Sequence, residues 1–136
     1  MSKQVFINFV VKDLEKSKVF YEALGYSFNP QFSNQDGACL IIDDGHIYAM
    51  LLTEAHFKKF THKELVDAKI TNEVLTALSL ESREEVDMVH DKAIAAGGKL
   101  HREEDLGFMY TKAIEDHDGH VWEFFHMDMS KVPAEM

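Results

Sequence analysis

The sequence predicts an α+β fold in which one βαβββ module is used twice in tandem. Three observations predict it. Strand-length apolar runs and stripes of helical period follow one another in the same order in both halves of the chain. The pentapeptide Asp44-Gly45-His46-Ile47-Tyr48 returns as Asp118-Gly119-His120-Val121-Trp122. A strand followed by a capped helix ends at Gly25 in the first half and at Gly97 in the second.

The elements follow from local chemistry. Val5 to Val11, broken only by Asn8, reads as a strand buried on both faces. Asp13 is placed to cap a helix whose apolar stripe is Leu14, Ser17, Phe20, Tyr21 and Leu24, and Gly25 stops it. Tyr26 to Phe32 reads as a short strand containing Pro30, and Asn34 to Gly37 as a turn. Ala38 to Ile42 and His46 to Thr53 form a hairpin around Asp43-Asp44-Gly45. Glu54 to Lys69 carries two short helical stretches, with Thr61 and Glu64 spaced as a capping box for the second.

The second half repeats the pattern. Glu73 to Leu80 is a strand. Ser82 and Glu85 form a capping box for a helix with Val86, Val89, His90 and Ala93 inside and Gly97-Gly98 after it. Lys99 to His101 begins an extended piece. Phe108 to Glu115 and His120 to Met127 are strands joined by the Asp118-Gly119 turn. The expected organisation is one domain over residues 1–136: module one 4–53, linker 54–72, module two 73–127 and tail 128–136.

Composition narrows the function classes. The 136 residues are 46% hydrophobic and 28% charged, enough to bury a core and unlike a disordered chain. The 24 acidic residues outweigh 14 basic ones, for a net charge of −10. That balance, without a Lys/Arg cluster, argues against nucleic acid and anionic membrane surfaces as partners. Cys39 is alone, so no intrachain disulfide can form. With no signal-peptide layout and no long apolar run, a cytoplasmic location is expected.

Two stretches carry a family resemblance. Val10-Val11-Lys12-Asp13-Leu14-Glu15-Lys16-Ser17, followed by Phe20-Tyr21 and Leu24-Gly25, opens the chain. Asp116-His117-Asp118-Gly119-His120-Val121-Trp122-Glu123 closes it. Together they resemble the vicinal oxygen chelate superfamily, which includes glyoxalase I, bleomycin- and fosfomycin-resistance proteins and extradiol dioxygenases. The resemblance spans about residues 5 to 127. It implies two βαβββ modules curled into an open barrel-like cavity, and commonly a homodimer. In the metal enzymes of the group, one side chain from each module's first strand and one from each last strand hold a divalent ion. Those positions map to Phe6, Ala49, Leu75 and Glu123, with the register at Ala49 open by one residue. Of these only Glu123 offers a donor, whereas Zn²⁺, Ni²⁺ or Fe²⁺ sites need three or four N/O ligands. No metal and no other cofactor is therefore expected, and metal-dependent glyoxalase chemistry is disfavoured.

Other metal groupings are weak. His120 and Glu123 are three apart on a strand and face opposite sides. His117 and His120 flank one turn and read as solvated histidines. His90 reads as a packed histidine and Cys39 as a small core residue.

Strand alternation defines the expected cavity lining. Asn8 and Val10 follow Phe6. Ile47 and Leu51 follow Ala49. Ala77 and Ser79 follow Leu75. Val121 and Phe125 flank Glu123, and Tyr110 and Lys112 join from the preceding strand, Lys112 with the one positive charge. Trp122 and Phe124 would face a helix. The pattern leaves two readings of that lining, an open pocket for a small organic molecule and a collapsed core in which Glu123 is a structural carboxylate. The open pocket leads to a metal-free binding protein. An alternative is an enzyme of the glyoxalase/dioxygenase-like group, lactoylglutathione lyase-like, with Glu123 as acid, base or residual ligand.

Overall fold

The computed structural model describes residues 2–134. The chain divides into two compact units, Met1–Val66 and Asp67–Met136. Each unit is an α+β module built on an open four-stranded mixed sheet.

In the first unit the elements are β1 (Val5–Val11), α1 (Leu14–Ala23), β2 (Ser27–Asn29), β3 (Gly37–Asp43), β4 (Ile47–Thr53) and the single turn α2 (Glu54–Phe57). The sheet order is β1-β4-β3-β2, with β1 parallel to β4 and the other pairs antiparallel. Asp13 caps α1 by accepting a bond from the Lys16 N–H. Gly25 ends that helix at φ 102°, a conformation that a side chain would strain. Phe20 and Tyr21 are almost fully buried beneath it and meet edge to face with ring centres 5.1 Å apart. Burying each ring contributes roughly 2–3 kcal/mol.

Two local expectations are corrected here. The strand expected over Tyr26 to Phe32 stops at Asn29, and Pro30–Phe32 form a 3₁₀ turn. Pro30 has no N–H for the ladder, and the Asn29 side chain instead accepts from the Gln31 N–H. The second helical stretch of 54–69 does not form. Thr61 accepts from the Lys63 N–H two residues on, closing a local turn instead of a capping box. Val66 is 55% exposed and Ile70 80%, so no packed face is there to hold a short helix.

In the second unit the elements are β5 (Leu75–Ser79), α3 (Arg83–Ala95), β6 (Lys99–Asp105), β7 (Met109–Glu115) and β8 (Val121–Met127). The sheet order is β5-β8-β7-β6, which repeats the first unit's connectivity. The capping box forms nearly as expected. The Ser82 hydroxyl accepts from the Glu85 N–H, while the Glu85 carboxylate reaches back to the Glu81 N–H. Val86, Val89 and Ala93 are buried under α3, against Trp122, Phe124 and Ile114 of the sheet. β6 is one of the two edge strands, and every one of its residues is exposed. No helix among the described residues is long and apolar enough to cross a membrane.

A charged network ties α3 to the β6–β7 end of the sheet. Arg83 makes two bonds to Asp105, at 2.9 and 3.0 Å, and lies 4.7 Å over the Tyr110 ring. Asp87 accepts from the Tyr110 hydroxyl at 2.6 Å and from Lys112 at 2.9 Å. The Arg83 bond lowers Asp105 from 3.8 to about 2, and the Tyr110 and Lys112 bonds lower Asp87. Both carboxyls are depressed on folding, so their contribution is complete above the ordinary carboxylate range and fades as pH falls toward 2. Urea midpoints of the wild type and Arg83→Gln should therefore differ at pH 6 and converge near pH 2. A difference that persists unchanged in acid would rule out this linkage.

Candidate functional site

The sheet pairings decide which side chains share a face. In the second unit α3 covers the face that carries Tyr110, Lys112, Ile114, Trp122 and Phe124. The opposite face carries Leu75, Ala77 and Ser79 of β5, Val121, Glu123 and Phe125 of β8, and Thr111 and Ala113 of β7. Leu75 is 54% exposed, and Ala77 and Ser79 are exposed beside it, so this face is open to solvent along β5.

Glu123 sits at the middle of that face. Its register partners are Ala77 on one side and Ala113 on the other, and beyond Ala113 comes Arg102. The two alanines leave room around the carboxylate. Arg102 reaches over Ala113 to within 3.6 Å of Glu123 and also pairs with Glu104. The side chain of Glu123 is 18% exposed. The positive charge beside it is thus Arg102. Lys112 and Tyr110 are not on this face: Lys112 pairs in register with Phe124, and both residues bond Asp87 of α3. Nearness in sequence suggested them, but strand alternation puts them on the helix side.

In the first unit Phe6 pairs in register with Tyr48, and Asn8 with Met50. Their face also holds Val10, Leu52, Ile41 and Cys39. Phe6 and Tyr48 stack with ring centres 4.7 Å apart and planes within 9°. The Tyr48 hydroxyl accepts from the Gly45 N–H at 2.7 Å and meets Asp44 at 3.1 Å, which closes the hairpin turn. Ala49 is fully buried on the other face with Leu40 and Leu51, under α1. Ala49, Ile47 and Leu51 therefore do not share a face with Phe6. Relative to the repeated pentapeptide, the first module is offset by one residue. Leu75 pairs with Val121 two residues before Glu123, and Phe6 pairs with Tyr48 two residues before Met50. Met50 takes the place expected for Ala49.

The donor set at the four positions is then Phe6, Met50, Leu75 and Glu123: one carboxylate, one weak thioether and two hydrocarbons. That set does not suit the hard divalent ion of the metal enzymes. A separate group, Asp116, Asp118 and His120, has ligand atoms within 4.8 Å of one another at the β7–β8 turn. The Asp116 carboxylate there accepts from the backbone N–H groups of Asp118 and His120, which is turn-building chemistry. Cys39 is buried, and burial pushes its thiol up, away from the reactive thiolate. His90 is mostly covered, with Nδ1 3.0 Å from Asp91.

A cavity of about 490 Å³ opens on the Asn8 face of the first unit, lined by Asn8, Leu52, Phe57, Phe60 and Thr61. Phe57 and Phe60 were missed in the sequence because 54–72 reads as a connector. The available signal was two phenylalanines three apart, Phe57 and Phe60, flanking Lys58 and Lys59.

Two βαβββ units with this topology define a duplicated α+β fold. The chain shares the fold of glyoxalase, bleomycin-resistance and dioxygenase family proteins. Residues 3–44 match the family described as bleomycin resistance protein-like N-terminal. The chain is 30% identical to hypothetical protein SA1046 from S. aureus, with a TM-score of 0.76 over 93% of this chain and 95% of that one. A glyoxalase-related enzyme from Fulvimarina pelagi is 21% identical, with a TM-score of 0.76 over 93% and 88% of the two chains. A bleomycin-binding protein solved with bleomycin is 16% identical, with a TM-score of 0.62 over 92% and 98%. No curated protein matches the chain.

Proposed function

We propose that the protein binds a small organic molecule on an apolar sheet face and does so without the divalent ion of its metal-dependent relatives. The observation that carries this reading is the open face around Glu123, where Leu75, Val121 and Phe125 surround a single carboxylate steadied by Arg102. Apolar walls with a few placed polar groups are the usual form of a small-molecule site. The bleomycin-binding protein, which shares the fold, is a relative that binds without its name implying turnover. Ser79, Glu123 and Phe125 are the proposed ligand contacts on this face, with Leu75 as an apolar wall. The proposed setting is a cytoplasmic homodimer.

The second reading, a Glu123-dependent enzyme, is favoured by one feature. A mostly covered carboxylate beside a guanidinium can accept a proton from a bound molecule. Metal analysis and one variant separate the readings. Protein purified without added ion should carry far less than one Ni, Zn, Fe or Mn per chain. Glu123→Gln should keep the fold, because the shapes match, and lose affinity for molecules that co-purify with the wild type. Stoichiometric metal that disappears in Glu123→Gln would refute the metal-free proposal. Turnover of the co-purified molecule that stops in this variant would favour the enzyme.

A further inference from the structure

The cavity beside Asn8 lies on a different unit from Glu123, and its lining has a chemistry of its own. Two of its five lining residues, Phe57 and Phe60, come from the turn of helix and short loop that follow β4. α2 rests against β1 and β4, which fixes where this wall stands. The Phe60 N–H bonds the Phe57 carbonyl at 3.0 Å, and the His56 ring meets Phe60 edge to face at 5.2 Å. The wall is thus a defined pair of aromatic side chains, even though Phe60 stays 70% exposed. An aromatic ring held in water beside a cavity gains by being covered.

No lining residue carries a formal charge. A charged ligand would lose hydration there without a counter-charge, which costs far more than moving an uncharged one. The two polar members complement each other. The Thr61 hydroxyl oxygen accepts from the Lys63 N–H, which leaves its O–H able to donate. Asn8 can both donate and accept. The cavity's volume of about 490 Å³ falls in the range of small-molecule sites.

We propose that this cavity takes an uncharged, flat aromatic molecule, packed by Phe57 and Phe60 and oriented through one carbonyl or hydroxyl group by Asn8 and Thr61. The proposal rests on the small-molecule reading above and gives it a ligand class and a second place on the chain. The segment read as a connector then acts as the specificity wall.

The test uses 2-naphthol, uncharged at neutral pH, and 2-naphthoate, its anionic counterpart, titrated by calorimetry into the full chain. The naphthol should bind at least tenfold more tightly than the naphthoate. Phe57→Ala and Phe60→Ala should each weaken naphthol binding by about three- to tenfold. The exposed Phe60 should be replaceable with little change in melting temperature, so its effect is not one of unfolding. Asn8→Val should weaken the naphthol and leave naphthalene unchanged. Equal or tighter binding of the anion, drawn by the exposed Lys58 and Lys59, would overturn the proposal, as would absence of naphthol binding. Naphthol binding that survives Phe60→Ala and is lost in Glu123→Gln would also overturn it, while leaving the Glu123 face as the site.

Discussion

Gly119→Ala should cost about 3 kcal/mol, whereas Gly45→Ala, at the matching position of the first pentapeptide, should cost about 1 kcal/mol. Both glycines have positive φ, 90° and 87°, so both substitutions strain the backbone. They differ in what a methyl would meet. At Gly45 there is open space within 4 Å. At Gly119 the methyl would stand 2.6 Å from the Lys69 nitrogen and 2.7 Å from the Ala68 carbonyl carbon and oxygen, all of them backbone atoms that cannot rotate aside. Chemical denaturation of the two variants checks this. Equal losses would mean that the Ala68–Lys69 segment does not press on the turn.

Leu51→Ala and Leu75→Ala should separate core from open face. Leu51 is fully buried under α1, and truncating it should cost about 3 kcal/mol through lost transfer energy and a residual cavity. Leu75, 54% exposed beside the Glu123 row, should lose less than about 0.5 kcal/mol. If its face is covered by a second copy of the chain, Leu75→Lys should lower the mass seen by sedimentation and remove the concentration dependence of the melting temperature. A monomeric wild type at micromolar concentration would remove the homodimer, and a large stability loss in Leu75→Ala would remove the open face.

The features legible in the sequence were those fixed within a few residues. Asp13 and Ser82 cap their helices because a short oxygen-bearing side chain finds an N–H three residues on, which needs no tertiary information. Trp122 and Phe124 face α3 because alternation along one strand is rigid. Register between distant strands was harder to read. Tyr48 and Trp122 close matching pentapeptides, yet Tyr48 stacks on Phe6 on the face away from α1 while Trp122 faces α3. A shift of one residue reverses every side chain, and the parallel β1–β4 pairing that sets it joins residues about forty apart. Arg102 escaped for a related reason. The β6–β7 register slips between Leu100 and Arg102, and that irregularity brings the guanidinium into line with Ala113 and Glu123.

The exposed strand β6 has a consequence for how the protein behaves when crowded. It forms the outer edge of its sheet with the sequence Lys-Leu-His-Arg-Glu-Glu-Asp, and its backbone would otherwise be a template for another strand. An incoming strand would have to strip water from a basic half (Lys99, His101, Arg102) and an acidic half (Glu103, Glu104, Asp105), and Arg102 and Glu104 are already paired with each other. Fibril growth and edge-to-edge clumping are therefore blocked on this side at high concentration. Replacing Arg102, Glu103 and Glu104 by threonine would leave a strand of high β-propensity on an unguarded edge, and aggregation on heating should begin there.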